Sequence, residues 1–433
     1  MTTQRIGLFS LLPLALLAAS AQAKSADDFD VNSAKALVAA GDCVACHTGP
    51  GGKPFAGGLT MTTPVGDIYS TNITPDKETG IGDYSYEEFA RALREGVAKD
   101  GHHLYPAMPY TSFAKINDED MHLLYRYFMT QVAPVKQANR DSDIPWPLSM
   151  RWPLAVWNML FQDSDRFKPD AHRSAEWNRG AYLVQGLAHC GTCHTPRGIA
   201  FQEKGSTERD ADFLTGGTLE GWHAPDLTSN MKSGIGRWSV EEITQFLKTG
   251  QTAHSAAFGS MTDVIENSTQ YLSDADLRAI AVYLRSLKSS DTSAAAPQAN
   301  DVATTALTKG DVSHPGAQEY VDNCSACHGL NGKGYANTFP ALAHNPAVLS
   351  DDPSSLISVT LRGSKMAVTG DKVTGLTMPG FAWRLDDEQA ARVLTFIRSS
   401  WGNEAPKVEA SEVSAIRKDI PHKELAQQPS LKP

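Results

Sequence analysis

The sequence predicts an all-α protein made of three tandem helical units separated by long Gly/Pro loops. Three observations carry that expectation. The pattern Cys-x-x-Cys-His occurs three times and uses all six cysteines: Cys43-Val44-Ala45-Cys46-His47, Cys190-Gly191-Thr192-Cys193-His194 and Cys324-Ser325-Ala326-Cys327-His328. Three amphipathic stretches, residues 117–131, 273–287 and 386–400, each open on a good N-cap (Asn117, Ser273, Asp386) and carry an aromatic ten residues later (Tyr127, Tyr283, Phe396). Strand signals are weak throughout, while 34 Gly and 24 Pro punctuate the chain.

The 433 residues are 41% hydrophobic and 20% charged. That is ordinary globular composition, long enough for about three domains, and it excludes collagen-like, disordered and coiled-coil readings. A net charge of −10 argues against a nucleic-acid partner.

Residues 1–23 read as a secretory signal. Arg5 precedes an apolar run too short to span a bilayer, and Ala21-Gln22-Ala23 is a cleavage motif. The expectation is export to the bacterial periplasm, where disulfides become a rival use for cysteine. No later run is long and apolar enough to span a membrane, so contact with the membrane is expected to be peripheral.

The mature chain then divides into a first unit (24–140), a Trp/Pro-rich junction (141–170), a second unit (171–290), a flexible linker (291–312), a third unit (313–405) and a polar tail (406–433). Self-similarity reaches beyond the cysteines. Gly82-Asp83-Tyr84-Ser85-Tyr86-Glu87-Glu88-Phe89 matches Gly236-Arg237-Trp238-Ser239-Val240-Glu241-Glu242-Ile243, and each continues to a Leu (Leu93, Leu247) and a Gly (Gly96, Gly250). Asp276 and Gln389 stand where a capping box needs them. Gly180 and Gly316, ahead of the second and third cysteine runs, would let a helix come close to Tyr283 and Phe396; Ala34 and Ala36 are the looser equivalents in the first unit. The junction 144–161 carries three Pro and three Trp, so it cannot form one continuous helix.

Cys-x-x-Cys-His is the attachment signature of c-type haem. Two thiols on one turn each bond a vinyl group, and the adjacent His lies under the iron. Cys43, Cys46, Cys190, Cys193, Cys324 and Cys327 are therefore the expected covalent anchors of three haems, with His47, His194 and His328 as iron ligands. Zinc would need about four ligands converging, a thioredoxin-like site would need a βαβ context, and a disulfide scaffold does not explain the His. The second axial ligands are expected to be Met108, Met261 and Met378, each in a loop before the closing helix of its unit. His102 and His103 are the rivals in unit one, His254 in unit two and His344 in unit three. Met121, Met129, Met150 and Met159 read as packing residues.

On these runs, together with Gly41-Asp42-Cys43, Leu187-Ala188-His189-Cys190, Asn72-Ile73-Thr74-Pro75-Asp76, Pro225-Asp226-Leu227-Thr228 and Trp157-Asn158-Met159-Leu160-Phe161, the units resemble class I cytochrome c domains. The whole resembles the triheme cytochrome c subunit of bacterial membrane-bound dehydrogenases: those of FAD-dependent gluconate 2-dehydrogenase, of sorbitol and fructose dehydrogenases, and of quinoprotein alcohol dehydrogenase. The resemblance implies a relay that takes electrons from a flavoprotein or quinoprotein dehydrogenase subunit, with a small third subunit, and passes them to ubiquinone. Gluconate 2-dehydrogenase is the preferred branch, and no catalytic residue is expected on this chain. The alternatives are the cytochrome subunit of a quinoprotein alcohol dehydrogenase and a peroxidase-like haem enzyme with one open iron site.

Overall fold

The computed structural model describes residues 29–420 apart from 220, 290, 292, 372 and 374; the expected signal segment, residues 1–23, lies outside the described residues. Helices dominate. Among the described residues, strands form three two-stranded antiparallel ribbons: Thr60–Thr63 with Gly66–Tyr69, Gly217–Leu219 with Trp222–Ala224, and Gly363–Lys365 with Thr377–Pro379.

Each unit repeats one plan. A leading helix (Val31–Ala40, Ala175–Tyr182, Ala317–Asn323) runs into the cysteine turn, a middle helix (Tyr86–Glu95, Val240–Thr249, Ser354–Arg362) follows, and a closing helix (Asp118–Thr130, Asp274–Ser286, Asp387–Ser399) packs back on the leading one. The closing helices start where their caps require. Asn117, Ser273 and Asp386 accept the backbone N–H three residues on, at 2.7, 3.0 and 2.7 Å. Ser85 with Glu88 and Ser239 with Glu242 complete reciprocal capping boxes, and Gly96 and Gly250 end these two helices in the left-handed region at φ +63° and +74°.

The box expected at Asp276 does not close. Its carboxylate instead receives the Arg179 guanidinium from the leading helix, at 2.7 and 3.2 Å. A two-pronged charge-assisted pair outweighs a neutral backbone donor. Arg392 and Glu319 make the corresponding pair in unit three, at 2.9 and 2.6 Å.

The expected close approach is present. A Cβ on Gly180 would lie 2.0 Å from the Ala279 carbonyl oxygen and 2.8 Å from Tyr283 Cβ. One on Gly316 would lie 2.2 Å from the Arg392 carbonyl oxygen and 2.9 Å from Phe396 Cβ. Ala34, the looser equivalent in unit one, is fully buried.

Two stretches are more ordered than their composition suggests. Within 291–312 the helix Val302–Thr308 buries Leu307 in the third core. Within the stretch expected to be a polar tail, Ala410–Asp419 is a helix whose Val413 is buried with Val408 and Ile420 on either side. Arg417 locks it down through Asp387 at 2.7 Å and the carbonyls of Ala382 and Leu385 at 2.8 Å. Sparse apolar residues decide these elements by tertiary packing rather than by propensity.

The units are not separate beads. One apolar core runs through units one and two, from Leu37, Phe113 and Leu124 to Leu183, Leu214 and Leu277. Unit three has its own core around Tyr320, Ile357 and Leu394. Ala257, Ile265 and Ala367 form a small bridge between units two and three. That second junction is otherwise polar: Ser355 exchanges hydrogen bonds with the backbone of His223, both at 2.8 Å, and Ser358 donates to the Gly221 carbonyl at 2.9 Å.

Gly180→Ala is expected to cost about 1–3 kcal/mol, because the added methyl must push two helices apart. Guanidinium unfolding followed by circular dichroism measures this. Wild-type stability would mean that the crossing has room to spare.

Candidate haem sites

The three cysteine turns share one local geometry. Short helical turns, Cys43–Cys46, Gly191–His194 and Ser325–His328, bring each His around so that its backbone N–H donates to the carbonyl of the first Cys, at 3.0 Å in all three. The two thiols and the imidazole of a run thus project from a single turn.

Each imidazole is then fixed by a second bond. Nδ1–H of His47 donates to the Thr71 carbonyl at 2.7 Å, that of His194 to the Pro225 carbonyl at 2.7 Å, and that of His328 to the Pro340 carbonyl at 2.9 Å. A carbonyl only accepts, so Nδ1 carries the proton and Nε2 keeps its lone pair for a metal. Desolvation holds all three rings below the usual imidazole range, His194 down to about 4, and keeps them neutral at pH 7.

The accepting carbonyls are themselves positioned. Asn72 is buried, donates to the Val135 and Gln137 carbonyls at 2.8 and 3.1 Å, and accepts the Thr74 N–H at 2.9 Å. Asp226 accepts the Thr228 N–H at 2.6 Å. The matched Thr74 and Thr228 of the sequence are therefore the anchors of the loops that supply Thr71 and Pro225.

Burial pushes the Cys43, Cys190 and Cys324 thiols up to about 12, the opposite of the low-pKa environment that redox-active cysteines need. Among the described residues no three His, Cys, Asp or Glu side chains gather as a metal-ion site, so the zinc reading finds no ligand set. A thiol pair, a neutral imidazole with Nε2 available and an apolar surround are the donor set that a covalently attached haem requires, and the residues fit it.

Met108 stands in a turn before Pro109, half-buried against the first core. Met261 is not in a loop as expected. It lies in the first turn of the helix Ser260–Asn267, half-buried beside Ala257 and Ile265. Gly259, at φ +55°, starts that helix early, where the local sequence lacks the Pro that follows the other two Met. Met378 also leaves the expected loop for the strand Thr377–Pro379, paired opposite Ser364. The rival imidazoles are engaged elsewhere. His102 meets Asp100 at 2.5 Å, His103 meets Asn158 at 3.3 Å, His254 meets Glu242 at 3.0 Å, and His344 Nε2 meets the Trp401 carbonyl at 3.0 Å.

One feature has no signal in the sequence. The first and second attachment turns are neighbours: His189 Nε2 lies 3.4 Å from the Gly41 carbonyl oxygen, and a Cβ on Gly41 would sit 3.2 Å from Cys43 Sγ and 3.3 Å from Leu187 Cδ1. The Met261 helix packs on the Cys43–Cys46 turn. Burial, with Asp263 nearby, raises the Asp42 carboxyl to about 8.

The fold and these turns define a multi-unit c-type cytochrome. Comparison with known proteins agrees. The cytochrome c family model matches residues 178–288 and again 313–401. The chain is 52% identical over 400 residues to the gluconate 2-dehydrogenase cytochrome c subunit of Pantoea cypripedii, covering 91% of each chain. It is 46% identical over 416 residues to the cytochrome c subunit of the quinone alcohol dehydrogenase of Gluconacetobacter polyoxogenes, covering 94% of this chain and 89% of that one. It is 39% identical over 417 residues to the fructose dehydrogenase cytochrome subunit of Gluconobacter japonicus, covering 90% and 84%. The chain belongs to the cytochrome c family, among the electron-transfer cytochrome subunits of dehydrogenases.

Asn72→Ala is expected to destabilise unit one by about 1–3 kcal/mol, because it removes the buried amide's bonds to the part-buried Val135 and Gln137 carbonyls and frees the loop that supplies Thr71. Denaturation followed at the Soret band reads the loss. Unchanged stability and an unchanged haem spectrum would mean that Thr71 is held without Asn72.

Proposed function

We propose that this chain is the cytochrome subunit of a membrane-bound dehydrogenase of the FAD-dependent gluconate 2-dehydrogenase type, and that it relays electrons to ubiquinone at the periplasmic face of the membrane. The observation that carries the reading is the threefold repeat of one imidazole geometry, His47, His194 and His328 each with Nδ1–H on a backbone carbonyl. Three such seats support three covalent haems, at Cys43/Cys46, Cys190/Cys193 and Cys324/Cys327. The 52% identity to the Pantoea subunit supports the branch. A flavoprotein partner with a small third subunit, and export directed by residues 1–23, complete the proposal. No helix of the described residues is long and apolar enough to cross a membrane, which is compatible with peripheral attachment.

A c-type haem with two protein ligands supplies a one-electron iron couple. The chain's own residues do the rest. The cysteine pairs hold the group, and the Thr71, Pro225 and Pro340 carbonyls orient the rings and strengthen Nε2 as a donor. Met108, Met261 and Met378 would supply the remaining iron ligands, which would leave no coordination site for a sugar acid and would favour the higher potential of a Met/His pair.

Met378→Ala is expected to leave the third haem attached, to create a high-spin band and to lower one midpoint potential. An unchanged spectrum and redox titration would exclude Met378 and return attention to His344. The purified chain alone is expected to oxidise no gluconate. With its dehydrogenase, gluconate should reduce the haem α-band, and a soluble ubiquinone analogue should reoxidise it. Gluconate oxidation by the isolated chain would overturn the relay reading.

A further inference from the structure

The junction between units one and two turns its apolar side outward. The helix Pro153–Phe161 is rich in Leu, Val, Trp, Met and Phe, yet it contains no buried residue. Its inner face is pinned by polar bonds: Asn158 donates to the Glu95 carbonyl at 3.0 Å and accepts from Tyr110 at 2.7 Å, and Trp157 Nε1 donates to the Ala200 carbonyl at 2.8 Å. Its outer face holds Met159 (76% exposed) and Leu160 (64%), and Trp146 (79%) and Trp152 (67%) precede it. A helix of a water-facing surface has the reverse pattern.

The Trp157–Ala200 bond also brings a second segment to this place. Ala200 lies between Ile199, which is entirely exposed, and Phe201, held at φ +62° and half-exposed. Two chain segments far apart in sequence thus present apolar tips side by side. Neither carries a carboxylate: Arg151 is the lone charged residue of 144–162 and Arg197 that of 195–202, in a chain of net charge −10. Both guanidiniums are fastened to backbone carbonyls, Arg151 to His103 at 3.1 Å and Arg197 to Phe201 at 2.7 Å.

We propose that the helix Pro153–Phe161 and the loop around Ile199 and Phe201 form one wedge that inserts into the headgroup region of a bilayer containing anionic phospholipid. The inference rests on peripheral attachment as proposed above and names its surface. Protruding Met, Leu and Ile side chains flanked by Trp suit the boundary between acyl chains and headgroups, where an interfacial helix buries about 5–10 Å of its apolar face. Arg151, fastened to a carbonyl rather than to a carboxylate, matches the negative charge of such a surface, whereas Arg197 already faces Glu203 at 3.9 Å. Interfaces with proteins are also enriched in Trp, Met and Arg, so co-purification of the dehydrogenase is read alongside membrane binding.

Flotation of the purified full-length haem protein with phosphatidylethanolamine–phosphatidylglycerol vesicles tests the proposal. Wild type is expected to float. Met159→Ser with Leu160→Ser, and separately Ile199→Ser with Phe201→Ser, should each lower the bound fraction about tenfold, with unchanged haem spectra and unchanged co-purification of the dehydrogenase. Trp383→Ser, which removes a half-exposed apolar side chain in unit three, should float as wild type does. Variants that float normally overturn the wedge, and so do variants that lose the dehydrogenase while still floating. Fractionation of cells separates the two claims. Wild-type protein in the soluble periplasmic fraction would sink peripheral attachment itself, whereas membrane-bound protein with normally floating variants would sink only this surface.

Discussion

Everything in the chain converges on the bond from a histidine Nδ1–H to a backbone carbonyl, made three times. It fixes the tautomer, aims Nε2 and holds the ring still, so that neither the bond nor the ring has to reorganise when the charge on a bound metal changes. The bond spans two segments, a cysteine turn and a distant loop, and neither can be placed alone. The leading and closing helices hold the turn. Asn72, Thr74, Asp226 and Thr228 hold the loops in the first two units.

The same demand explains the close helix crossings. The cysteine turn follows directly from the leading helix, so the separation of leading and closing helices sets where the imidazole lies. Gly180 and Gly316 allow backbone contact there, and the Arg179–Asp276 and Arg392–Glu319 pairs fix rotation about the crossing. Between units, a shared apolar core ties the first two attachment turns into one body, and a largely polar seam joins the third. A relay needs such fixed spacing, since loosely tethered units would vary the distance between their cofactors.

What the sequence made legible was local. Cys-x-x-Cys-His, the caps Asn117, Ser273 and Asp386, the boxes opened by Ser85 and Ser239, and the small residues Gly180 and Gly316 act within a turn or across one crossing, and each leaves a fixed spacing. What stayed hidden depends on distant partners. Leu307, Val408 and Val413 look isolated in polar sequence, and only the third core makes their helices stable. Asp276 reads as a capping partner until Arg179 arrives from the other helix. Met261 reads as a loop residue until the Ser260–Asn267 helix is seen packed on the first cysteine turn. The carbonyls of Thr71, Pro225 and Pro340 carry no side-chain signature at all.

A three-haem relay needs all three seats, including the one in unit one, which lies outside the residues matched by the cytochrome c family model. Mass spectrometry of the denatured chain and of its proteolytic peptides measures this directly. The predicted result is one covalent haem on each of the peptides containing Cys43/Cys46, Cys190/Cys193 and Cys324/Cys327. An unmodified cysteine pair in fully matured protein, above all at Cys43 and Cys46, would contradict it.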